Sequence, residues 1–83
     1  MKNMNKDLID DEEFDLICKY IQIRYESNIS QRELASRIGI AQSTIARMEK
    51  NMHSMSIGNF TKLLDVLGYK LDIVKKEDIN ESR

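Results

Sequence analysis

The sequence predicts an all-α domain, a compact set of four short helices, followed by a single C-terminal β-strand. Three observations carry this. The 83 residues include no proline and only three glycines, which favours helices joined by short turns. Apolar residues recur at helical spacing in four blocks, most of them opened by a capping residue or closed by a glycine. Residues 69–75 alone alternate apolar and charged at period two.

Residues 1–9 are polar and are expected to form a flexible start. Asp10 with Glu13 makes a capping box, and Asp11, Glu12 and Glu13 place negative charge where a helix dipole favours it. Phe14, Ile17, Cys18, Ile21 and Tyr25 then follow the spacing of a buried stripe, widened by Leu16, Tyr20 and Ile23. This predicts a first helix over about 11–27, with Cys18 on its inner face as a small buried hydrophobe. Glu26-Ser27-Asn28-Ile29 is the connector, with Ile29 as a hydrophobic plug.

The second helix has a strong start, because Ser30 can accept from the orphan amides while Glu33 reaches back to it. Leu34, Ala35 and Ile38 are its apolar positions, and Gly39 stands where a left-handed residue ends a helix. A third helix opens with Ala41-Gln42-Ser43-Thr44 and buries Ile45 and Met48. Ala35 supplies the small side chain that two steeply crossing helices need, and Gly39 takes a positive φ cheaply. Residues 31–50 are therefore a helix-turn-helix. After a loop from Asn51 to Met55, Ser56 caps a fourth helix whose inner face is Ile57, Phe60, Leu63, Leu64 and Leu67, and Gly68 ends it. The strand over 69–75 has no partner within the chain, so a second copy is the economical one, paired through Tyr69, Leu71, Ile73 and Val74. The tail over 76–83 is expected to be flexible.

Net charge is −1, weak for a nucleic-acid binder, but the charge is unevenly spread. Residues 11–26 hold five acids and two bases, whereas residues 27–50 hold four bases and two acids, with Arg32, Arg37, Arg47 and Lys50 around the motif. One cysteine excludes an internal disulfide and fits a reducing compartment. No segment has the apolar length of a signal peptide or of a membrane span, so the expectation is a cytoplasmic protein with no membrane partner.

Gln31, Leu34-Ala35, Ile38-Gly39-Ile40, Gln42-Ser43, Ile45 and Arg47-Met48-Glu49 together resemble the phage-repressor (Xre/Cro-type) helix-turn-helix family, over about Phe14 to Gly68. The resemblance implies the lambda-repressor-like fold and a homodimer on palindromic double-stranded operator DNA. It matches Gln42, Ser43 and Arg47 to base-reading positions and Gln31 to a phosphate contact. A glutamine amide can pair bidentately with adenine, Arg47 can reach guanine or a phosphate, and Ala46 can meet a thymine methyl. Thr44, Lys50 and Asn51 are further phosphate candidates. The resemblance also implies an ion pair between Arg24 and Glu49, which makes Glu49 structural. The C-terminal LGYKLDIV is similar to HipB-like and HigA-like antitoxins, which implies self-repression and a cognate toxin as partner.

Other chemistry finds little footing. His53 is a lone histidine without ligand spacing around it, and the acids from Asp10 to Asp15 lack the glycine-bearing frame of a calcium loop. No Gly-rich phosphate loop, nucleophile elbow or catalytic carboxylate pair is present, so no enzyme activity, no metal and no cofactor are expected. Met48, Met52 and Met55 read as core and loop packing. The rival reading is a protein-interaction module that uses the same scaffold without DNA, favoured by the net charge and the acidic first helix.

Overall fold

Capping chemistry sets where the helices begin and end. The computed structural model describes residues 11–76 and places in them α1 (Asp11–Glu26), α2 (Gln31–Ile38), α3 (Gln42–Asn51) and α4 (Ile57–Val66). Ser30 Oγ accepts from the Glu33 amide at 3.0 Å, and Ser56 Oγ accepts from the Asn59 amide at 3.2 Å. Each satisfies one of the four amides that a helix start leaves without an intrahelical acceptor. Glu33 does not return the favour to Ser30, because its carboxylate pairs with Arg37 one turn on, at 2.6 Å. Gly39 closes α2 at φ 77°, and both its amide and that of Ile40 donate to Ala35 O. Gly68 stands at φ 90° after α4, with the Tyr69 amide donating to Leu64 O at 2.8 Å.

The core is one cluster with members from every helix: Ile17 and Tyr20 from α1, Leu34 and Ala35 from α2, Ile45 and Met48 from α3, and Phe60, Leu63 and Leu64 from α4, with Leu67 just beyond it. The Tyr20 and Phe60 rings meet edge to face at a centroid distance of 5.9 Å, an arrangement the ring quadrupoles favour. Ile29, Met52 and Met55 pack against this cluster, half-buried, as the connector and loop readings expect. Among the described residues no helix is long and apolar enough to cross a membrane.

Four expectations are corrected. The inner face of α1 is Ile17, Tyr20 and Arg24, not the Phe14–Cys18–Tyr25 line. The helix is rotated by about a quarter turn from the purely apolar reading, given 3.6 residues per turn. On this face Arg24 and Tyr20 both turn inward to bond Glu49, beside the fully buried Ile17. Phe14, Cys18 and Tyr25 are consequently exposed, so Cys18 is a surface thiol rather than a core residue. On α4, Ile57 is 74 % exposed, because the first helical residue lies above the layer that Phe60 and Leu63 fill. Finally, residues 69–76 form no strand in the single chain, and no strand occurs among the described residues. A β-strand exists only through ladder bonds to a neighbour, and the described residues offer none. α1 itself ends one residue early, where Asn28 turns left-handed at φ 58°. The flexible start over 1–9, the Asp10 cap and residues 77–83 of the tail lie outside the described residues.

Candidate nucleic-acid interface

α3 divides its residues by depth. Ile45 and Met48 are buried in the common core, Thr44 and Ala46 are half-buried, and Gln42, Ser43, Arg47, Lys50 and Asn51 are exposed. With neighbours three and four apart on a helix surface, Ser43, Arg47, Lys50 and Asn51 share one outer flank, and Gln42 and Ala46 adjoin it. The start of α3 is chemically open. Ala41 is its N-cap and supplies no side-chain hydrogen bond, so the first amides face outward beside Gln42 and Ser43. Such an end attracts anionic oxygens.

The opposite side of α3 is fixed by Glu49. Its Oε2 accepts from Arg24 Nε and from the Tyr20 hydroxyl, both at 2.8 Å. Its Oε1 accepts from Arg24 Nη2 and from Gln31 Nε2, both at 2.9 Å. One carboxylate on α3 thus takes four hydrogen bonds from α1 and from the start of α2. Arg24 is completed by Nη1, which donates to Ile29 O at 3.0 Å, and by its position 4.7 Å above the Tyr25 ring centre. The Arg24 and Glu49 side chains are 8 % and 10 % exposed, so the ion pair is largely dry. Burial alone pushes the Glu49 carboxyl up, but the hydrogen bonds from Arg24, Gln31 and Tyr20 outweigh it and hold the group below the usual carboxylate range. Burial, and then the Glu49 carboxylate, push the Tyr20 hydroxyl far above its ordinary value. Hydrogen bonding to Glu49 raises Arg24 in spite of its burial.

The structure therefore brings Arg24, Gln31 and Glu49 together, and leaves Gln42, Ser43 and Arg47 outside that cluster on the free flank of α3. Gln31 is half-buried, with one amide hydrogen given to Glu49. Tyr20 is the member that sequence reasoning missed. It was counted as apolar width, although its place four residues before Arg24, on the same helix face, was the available signal. Arg24, Tyr25, Ser30, Gln31, Arg32 and Gln42 line a shallow polar cleft where α1, α2 and α3 converge. All four bases around the motif are exposed, and Arg37 pairs at the surface with Glu33. Elsewhere, Glu13 Oε2 accepts from the Ser54 amide at 2.6 Å and ties the start of α1 to the loop after α3. His53 lies in that loop with Nδ1 3.3 Å from Ser54 O. No group of three or more potential metal ligands occurs among the described residues.

A helix-turn-helix family model matches residues 20–74, from the third turn of α1 into the segment after α4. A search of curated proteins finds no match. The match spans well over half of the chain and includes α2, α3, α4 and the Arg24–Glu49 pair. The chain belongs to the Xre/lambda-repressor-type helix-turn-helix family, whose members are DNA-binding, non-enzymatic transcription regulators.

Proposed function

We propose that this chain is a sequence-specific repressor that binds a palindromic operator as a homodimer. Each subunit lays the start of α3 in a major groove, with the two half-sites about one helical turn, ~34–36 Å, apart. Gln42 pairs with adenine through its amide, Ser43 and Ala46 complete the base contacts, and Arg47 reaches a guanine edge. Thr44, Lys50 and Asn51 hold phosphates, joined by Gln31 through the amide hydrogen that Glu49 leaves over. The observation that carries the reading is the division of α3: Gln42, Ser43 and Arg47 are exposed together while Glu49 is bound into the core by four donors. A polar tip on a rigidly held helix loses little conformational freedom when it docks.

A gel shift on the DNA upstream of the chain's own gene tests this. Wild type gives a discrete complex, and Gln42→Ala/Arg47→Ala abolishes it while the melting temperature is kept. Absence of any shift by wild type would sink the reading in favour of a protein-interaction module.

The dimer and the antitoxin role rest on the segment after α4. Ile73 is 96 % and Val74 79 % exposed, adjacent apolar side chains that a partner could cover. A partner protein is the natural cover, and in an antitoxin that partner is a second copy, a toxin, or both. Co-purification of the chain with the product of an adjacent, co-directional gene supports the antitoxin role. A chain that purifies alone with that gene co-expressed is a stand-alone regulator.

A further inference from the structure

α1, α4 and the segment after α4 border a hollow of about 210 Å³ that the proposed DNA contacts do not use. Its walls are Leu16 and Ile23 from α1, Phe60 and Leu64 from α4, and Leu71. All five belong to the core cluster or pack against it, and none of their side chains carries a polar atom. Tyr20 adds only its ring, because its hydroxyl is committed to Glu49. Water that enters such a hollow finds few hydrogen bonds there, so an apolar body displaces it readily.

Size sets the bulk of the occupant. An apolar cavity of about 150 Å³ takes up benzene. A hollow of 210 Å³ therefore has room for one ring and a short chain. Tyr20, Phe60 and Tyr69 contribute three rings to the lining, which suits an aromatic body.

Charge sets the other end. Lys19 from α1 and Lys70 from beyond α4 line the same hollow, both are exposed, and no acid lines it. Neither lysine has an ion pair among the described residues. Two cations from separate elements beside an apolar recess match an anion on an apolar stem. The other recesses lack this combination. The one bordered by Arg37, Lys62 and Asp65 mixes both signs, and the cleft beside Gln31 is polar and shallow.

We infer that this hollow binds a small arylalkyl carboxylate, with its ring against Phe60, Leu64 and Leu71 and its carboxylate between Lys19 and Lys70. The inference does not depend on the DNA reading, since none of the proposed base or phosphate contacts lines the hollow.

Phenylpropionate is the probe, and phenylpropanol is its neutral counterpart with the same ring and chain. In methyl NMR spectra of the full chain, phenylpropionate shifts Leu16, Ile23, Leu64 and Leu71 and leaves Ile38 and Ile40 in place. The expected Kd is ~1 mM, the strength of a ligand with about eleven heavy atoms. Phenylpropanol binds at least tenfold more weakly. Lys19→Gln/Lys70→Gln changes two surface side chains, keeps the fold, and brings the acid down to the affinity of the alcohol. Equal affinity of wild type for acid and alcohol overturns the carboxylate, and shifts centred on Ile38 overturn the place. No methyl shift up to about 10 mM overturns the site altogether. If wild type then sediments as a dimer, the hollow is covered by a second copy instead.

Discussion

A single carboxylate decides how the recognition helix is held. Glu49 satisfies Arg24, Tyr20 and Gln31 at once, so its loss strands a guanidinium that is 8 % exposed. Glu49→Gln keeps the shape and removes the charge; stability is expected to fall by ~3–5 kcal/mol in a denaturant titration, as for other broken buried pairs. Tyr20→Phe is milder. It keeps the edge-to-face contact with Phe60 and deletes one hydrogen bond to a charged acceptor, which is worth ~1.5–3 kcal/mol. The Glu49 carboxyl sits below its ordinary range when folded, so the folded chain releases its proton more readily than the unfolded one. Its contribution is therefore fully present above the unfolded value of about 4.3 and is lost as pH falls through the lower folded value. Melting temperatures followed downward from about pH 6 should decline in wild type. In Glu49→Gln that component of the decline should be absent. A wild type and a variant with parallel pH profiles would show that Glu49 does not carry the effect.

At the scale of the elements, the ends of the helices were legible and one of their faces was not. Ser30, Gly39, Ser56 and Gly68 act on their own neighbours within four residues, so local sequence identifies them. Gly39 makes a clean case. It lies at φ 77°, and a Cβ added there would meet nothing within 4 Å, so Gly39→Ala charges only the backbone. The expected loss is ~1–2 kcal/mol by thermal melting, with DNA binding retained at temperatures where the variant stays folded. The face of α1 was illegible for the converse reason. The residue that turns it, Arg24, answers to a partner 25 positions away, and a hydrophobic count assigns both Arg24 and Tyr20 the wrong weight. Phe14 and Tyr25 were drawn inward on paper because the count knows residue types but not the demand of Glu49. The strand failed differently. Alternation at 69–75 is a local pattern, whereas a strand needs ladder bonds to a neighbour, and none form among the described residues. Around the motif, the exposure of Gln42, Ser43 and Arg47 on α3 follows from their helical spacing, whereas the hydrogen bond that ties Gln31 to Glu49 joins two helices and was not legible.

For the whole molecule the question is how a chain of net charge −1 holds a polyanion. α1 exposes Glu12, Asp15 and Glu26, so the long-range field offers little steering. Attraction has to come from few, local cations, and Arg24 is not among them, because it is buried against Glu49; Arg37 is only loosely held by its exposed pair with Glu33. Around the motif, Arg32, Arg47 and Lys50 are exposed without such a pair among the described residues. The proposed two-fold dimer would double this small set on one duplex, so that dimerisation and operator binding would reinforce each other. The salt dependence of binding measures the number directly, because each neutralised phosphate adds about 0.9 to the slope of log K against log salt. Lys50→Ala should lower the slope of a dimer by about 2, one contact from each subunit, and leave the preference between operator and mutated operator unchanged. Arg47→Ala should instead narrow that preference, because a base contact is lost. Gel shifts titrated from 50 to 200 mM salt on both DNAs separate the two roles. An unchanged slope in Lys50→Ala would remove Lys50 from the phosphate contacts and leave Arg32, in the cleft beside Gln31, as the cation that holds the backbone.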